Sequence, residues 1–127
     1  YLKMSFFPIG GLEPQYKNIK SQILIEQLLL DDINEEPEEI EIYCFNGIPK
    51  IFQRREKTNI PPLKISSYDE NYNFINLKFI GGYVLEQKTA DNILKNTVML
   101  SKILAEQFKF VRVDWIIYNK KIYFKRA

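Results

Sequence analysis

The apolar and polar positions of the chain fall into four regimes. "QILIEQLLL" (22–30) is a near-continuous apolar run interrupted only by charged Glu26 and its amide neighbour, and that pattern predicts a buried strand. "DDINEEPEE" follows with six carboxylates and a proline, which predicts a solvated loop. Next, "IEIYCFNGIPKIFQRRE" places two β-rich runs on either side of Asn46-Gly47, a dipeptide that tolerates positive φ and signals a tight hairpin. Residues 57–83 are rich in Pro, Ser, Asn and Gly with scattered aromatics, and read as a long irregular excursion closed by Gly81-Gly82. From Thr89 to Phe108 the period changes. Thr89 is placed to cap a helix whose stripe is Ile93, Thr97, Leu100 and Leu104, widened by Leu94, Val98 and Ala105. A second hairpin, turning at Asn119-Lys120, ends the chain. Strand, hairpin, loop, helix, hairpin is an α+β order: one domain, with a mainly antiparallel sheet and a covering helix.

The last hairpin carries the chemistry. Side chains alternate faces along a strand, so Val111, Val113, Trp115 and Ile117 share one face, and Arg112, Asp114, Ile116 and Tyr118 the other. The first set is core. The second puts a guanidinium beside a carboxylate, which is either an ion pair on a half-exposed sheet face or a site handling phosphate and a divalent cation. Lys50, Arg54 and Arg55 crowd the second strand of the first hairpin. They suit a solvated strand edge or an anionic substrate. Glu26 needs a partner or an edge position in water, because an unpaired buried charge is costly.

Composition narrows the chemistry by what is missing. With no histidine there is neither a His-based triad nor an imidazole metal site in this sequence. One cysteine, Cys44, excludes an internal disulfide and a Cys-rich zinc site, and its strand setting predicts a buried, inert thiol. The formal charge of +2 gives no electrostatic case for nucleic acid. No apolar run approaches the ~18 residues of a membrane span. The opening "YLKMSFFPIGG" lacks the apolar centre of a signal peptide, so a cytoplasmic setting is expected. The start on Tyr1 suggests a piece of something longer.

"FKFVRVDWIIYNKKIYF" resembles the final hairpin of ATP-grasp enzymes, in which an Arg-Val-Asp strand leads into a turn and an Ile-Tyr-Phe strand returns. It is most similar to the branch associated with teichuronopeptide and capsular polysaccharide synthesis. "YKNIKSQILIEQLL" resembles the stretch entering that branch's adenine-binding hinge, "IYCFNGIPKIF" its Asn-Gly hairpin, and the helix before "FKFVRVD" its Ala/Leu-rich helix. The resemblance implies ATP and Mg²⁺ as cofactors, and a ligase or transferase in which ATP phosphorylates a carboxylate and an amine attacks the acyl-phosphate. It also implies a carboxylate- or sugar-containing substrate. It makes Glu26, Gln27 and Leu28 the adenine contacts, Asp31 or Asp32 the ribose contact, Arg112 the phosphate contact and Asp114 the metal ligand. Phosphoryl transfer of this kind relies on positioning and charge neutralisation, which a chain without histidine can supply.

Two departures accompany the resemblance. Little of the family's first lobe fits before residue 16, so a partial, C-terminal-lobe-like domain is expected, inactive alone for want of that lobe and of a second metal carboxylate unless another chain supplies the lobe. The alternative is a non-catalytic nucleotide- or partner-binding domain of the same fold. The family continues Ile-Tyr-Phe with Gly-Glu, whereas this chain reads Lys125-Arg126. A two-residue turn sets Asp114 opposite Lys125 and a three-residue loop sets it opposite Arg126. In either register a cation faces the aspartate where a second carboxylate is expected.

Overall fold

Asn46 (φ 50°) and Gly47 (φ 75°) turn the chain between β1 (Glu38–Phe45) and β2 (Ile48–Glu56), as their dipeptide predicts. In the computed structural model the described residues are 37–56, 62–77 and 83–127. The turn is held from outside as well. Asn46 N–H donates to the Lys109 carbonyl (2.8 Å) and Gly47 N–H to that of Phe108 (3.1 Å). A Cβ at position 47 would lie 3.2 Å from Glu106 Cα, so the close approach and the positive φ both require glycine there.

The remaining elements are β3 (Leu63–Asp69), β4 (Tyr83–Leu85), α1 (Asn92–Ala105), β5 (Phe110–Tyr118) and β6 (Lys121–Arg126). The six strands form one sheet in the order β4-β3-β2-β1-β5-β6. Every pairing is antiparallel except β3–β4, so the α+β layout holds and the sheet is mixed only at one margin. The excursion expected over 57–83 is corrected by β3 and β4. "LKISSYD" is a strand whose two serines hide the alternation, and Ser66 is buried because its hydroxyl donates to the Glu86 carbonyl (2.6 Å). The apolar run at 22–30 lies outside the described residues.

Ile40, Ile42, Cys44, Phe52, Tyr68, Val111, Val113, Trp115 and Ile117 line one sheet face and pack under α1. The alternation expected for β5 is therefore observed. The helix begins later than Thr89. Asp91 caps it, accepting from Leu94 N–H at 2.9 Å, because the same carboxylate also accepts from Arg54 Nη1 at 2.7 Å across from β2. Its buried face is also rotated from the expected stripe. Leu94, Thr97, Val98, Ser101 and Ala105 point inward, while Leu104 is 45% exposed. Small residues let the helix sit close on the sheet, and their hydroxyls are satisfied there. Thr97 donates to the Leu94 carbonyl (2.8 Å), and Ser101 accepts from Trp115 Nε1 (2.8 Å).

Candidate functional site

The face of the sheet away from α1 is built from charge. β1 contributes Glu39, Glu41 and Tyr43, the odd positions of a strand whose even positions are core. Register then fixes their neighbours. Glu41 stands opposite Asp114 on β5 and Gln53 on β2, Tyr43 opposite Arg112, and Glu39 opposite Arg55. Carboxylates sit side by side in the middle of this face, Glu41 and Asp114 each 2% exposed. Directly opposed like charges are destabilising in a sheet unless cations intervene.

Cations do intervene. Arg112 reaches along its own strand and forks onto Asp114, with Nε to Oδ1 at 2.8 Å and Nη2 to Oδ2 at 2.9 Å. Its Nη1 lies 4.0 Å from Glu41 Oε1. From β2, Arg55 Nη2 donates to Glu41 Oε2 (2.9 Å), and the Tyr43 hydroxyl donates to the same oxygen (3.0 Å). Arg126 Nε donates to Asp114 Oδ2 at 2.6 Å, and Lys125 Nζ to Glu39 Oε1 at 2.5 Å. Bidentate and charge-assisted bonds of this kind are the strong class of protein hydrogen bond. The Asp114 hydrogen bond holds the Arg112 guanidinium well above its ordinary range, against the opposing effect of burial. Burial first, and the neighbouring Glu41 carboxylate second, push the Tyr43 hydroxyl upward.

A β-bulge brings both terminal cations to this face. Asn119 (φ 49°) and Lys120 (φ 60°) make the two-residue turn, and Tyr118 pairs with Lys121. Uninterrupted, that register would set Lys125 opposite Asp114. The ladder instead shifts between Asp114 and Trp115, pairing Asp114 with Arg126 and leaving Lys125 as the extra residue. The expected cation opposite Asp114 is present, and the bulge supplies a second.

Of the residues singled out in the sequence, Arg112 and Asp114 come together with Arg55. Lys50 and Arg54 do not join them. Lys50 pairs with Glu70 near the end of β3, and Arg54, 9% exposed, pairs with Glu38 and with Asp91 at the helix cap. The solvated-edge reading of these cations is corrected, because β2 is an interior strand flanked by β1 and β3. Glu26, Gln27, Leu28 and Asp31 lie outside the described residues. Glu39, Glu41 and Tyr43 join the site without having been candidates from sequence. Their signal was the acid-apolar alternation of "EEIEIY", which puts both carboxylates on the face opposite Ile40 and Ile42. Cys44 is buried, and burial pushes its thiol up to about 11, as an inert core cysteine requires.

The donor set does not suit Mg²⁺. Both oxygens of Asp114 accept guanidinium N–H bonds, and the position across from it holds Arg126. Two like unit charges about 4 Å apart repel by roughly 4 kcal/mol at an effective dielectric constant near 20, and a divalent ion doubles that. Among the described residues no group of three or more acidic or thiol side chains is arranged to hold a metal. Phosphate, by contrast, suits the face. Arg126 is exposed, and only its Nε has an acceptor among the described residues. The Arg112 side chain is partly exposed. Arg55 Nε is buried with no acceptor among the described residues. Among the described residues, four cations (Arg55, Arg112, Lys125, Arg126) and three carboxylates (Glu39, Glu41, Asp114) make up this bonded cluster.

No helix among the described residues is long and apolar enough to cross a membrane. No curated protein and no solved structure gave a match to the chain. A family model described as TupA-like ATPgrasp matches residues 2–126. With nearly the whole sequence covered by that match, the chain belongs to the TupA-like ATP-grasp family.

Proposed function

We propose that this chain binds a nucleoside triphosphate on the charged face of its sheet, with Arg112 as the phosphate contact, and that it does so without a ligase metal centre at Asp114. ATP-grasp proteins generally bind ATP and Mg²⁺, so family membership supports the nucleotide. The carboxylate–amine ligation of capsular or teichuronopeptide polysaccharide synthesis is the chemistry of the branch it resembles. The observation that carries the departure from that chemistry is the saturation of Asp114 by two guanidinium groups. Catalysis by a metal-held triphosphate would need those bonds broken first. Arg112 is suited to phosphate because two of its five N–H groups anchor its fork on Asp114 and its side chain is still partly exposed, although Nη1 also faces Glu41. Adenine and ribose contacts are proposed at Glu26, Gln27, Leu28 and Asp31 by family correspondence alone.

Calorimetric titration of the chain with ATP tests this reading. Micromolar to millimolar binding that falls at least tenfold in Arg112→Ala is expected, since a charge-assisted hydrogen bond is worth roughly 1.5–3 kcal/mol. Heat of binding unchanged in that variant would remove Arg112 from the phosphate site, and no binding by the parent chain would remove the nucleotide.

A further inference from the structure

The bulge in the β5–β6 ladder brings Lys125 and Arg126 onto one face of the sheet, where a regular ladder would alternate them. Arg126 Nε sits 2.6 Å from a carboxylate oxygen that is almost wholly buried, while most of the arginine side chain, 61% exposed, stands in solvent. Asp114 thus fixes one edge of the guanidinium. The other nitrogens carry four N–H groups with no acceptor among the described residues. Beside it, Arg112 is fixed on the same carboxylate by its own fork. Two guanidinium groups held by one acid, the more exposed of them with Nη donors that have no acceptor among the described residues, present fixed positive charge without any ion drawn from solution. Because the whole arrangement is pre-organised by the sheet, little side-chain entropy is left to lose when an anion arrives.

We propose that Arg126 is the specificity-determining residue of this face: tethered on Asp114, it meets the phosphates in place of a divalent cation, so the chain recognises the metal-free triphosphate. This rests on the nucleotide reading above and deepens it. The consequence is a reversal of the usual metal dependence. Metal-free ATP carries about two more negative charges than its Mg²⁺ complex, and a site of fixed cations favours the more highly charged form. Added Mg²⁺ then acts as a competitor for the ligand. Lys125 is the auxiliary member, its charge already engaged by Glu39 at 2.5 Å.

The experiment is calorimetric titration of the full chain with ATP in excess EDTA and again in excess MgCl₂, for the parent, Arg126→Ala, Arg126→Lys and Arg126→Glu, with far-UV circular dichroism to verify folding. The parent is expected to bind at least as tightly in EDTA as in MgCl₂. Arg126→Ala should weaken the metal-free affinity about tenfold or more. Arg126→Lys keeps the charge and loses less, which separates loss of the cation from loss of the β6 bulge. Arg126→Glu should bind only in MgCl₂. Parent binding that requires MgCl₂, with Arg126→Ala unchanged, would overturn the proposal while leaving the nucleotide reading intact. Absence of ATP binding by the parent in both buffers would overturn both.

Discussion

The two faces of this sheet are stabilised by different physics. Under α1 the contacts are apolar: Ile40, Ile42, Phe52, Leu94 and Val113 are each at most 1% exposed, and the polar groups among them are satisfied, Thr97 by the Leu94 carbonyl and Ser101 by the Trp115 indole. On the opposite face Glu41, Gln53 and Asp114 are buried to a similar degree, yet each carboxylate is matched by guanidinium, hydroxyl or amine donors. Apolar packing is non-directional and tolerates substitution of similar volume. A buried ion lattice is directional, costs desolvation, and gains little net stability over an apolar replacement. The three carboxylates and four cations of the cluster, counted among the described residues, are the groups from which the proposed phosphate site is built.

Substitutions on the two faces sharpen the contrast. Phe52→Ala should be the most costly, at about 4 kcal/mol by urea unfolding, because it opens a cavity in a close-packed core beside Tyr72, whose ring lies 5.3 Å from it. Asp114→Ala should follow at roughly 3 kcal/mol, since it strands two guanidinium groups that share one acid. Salt tells the two apart further. Raising ionic strength to about 0.5 M should shrink the cost of Arg126→Ala, whose ion pair is partly exposed, and leave the cost of Phe52→Ala where it was. Equal salt sensitivity at both sites would dissolve the distinction between the faces.

A smaller effect is expected at the helix cap. Burial raises the Asp91 carboxyl, but the Leu94 N–H and the Arg54 guanidinium outweigh it, so the net shift is downward. A carboxyl lowered in the folded state contributes stability that is fully present above its unfolded-state value and is lost as pH falls through its folded value. Asp91→Asn should therefore flatten the acid limb of the stability profile while keeping an N-cap side chain. A parallel acid limb in the variant would argue that Asp91 is not coupled to folding. The smallest expected signal is at Cys44. With its thiol pushed up to about 11 and fully buried, it should resist alkylation at pH 8 until the chain is unfolded.

The sequence made legible whatever depends on neighbours in the chain. Both tight turns follow from Asn-Gly and Asn-Lys at positions needing positive φ, and the core and charged faces of β5 follow from strict alternation. What escaped depends on partners far away. Asp91 rather than Thr89 caps α1 because Arg54, 37 residues upstream, shares its carboxylate. The buried face of α1 turned toward Thr97 and Ser101 because Trp115 offers an N–H to Ser101 and the sheet rewards close approach. β3 was hidden by buried serines. The pairing of Asp114 with Arg126 needed a bulge that turn length alone does not specify. Of the candidate site, Arg112 and Asp114 are readable in sequence, and the alternation of "EEIEIY" gives the face of Glu41 and Tyr43, but their place beside Asp114 and Arg112 depends on β1 lying between β2 and β5.

Side-chain nitrogen–proton spectra offer the most direct test, because reporters stand on both faces. On addition of ATP in EDTA, the Nε–H signals of Arg55, Arg112 and Arg126 should shift, while the Trp115 indole signal, buried against Ser101 under the helix, should stay in place. Movement of the indole with the three arginine signals unmoved would contradict the assignment of the phosphate-binding face.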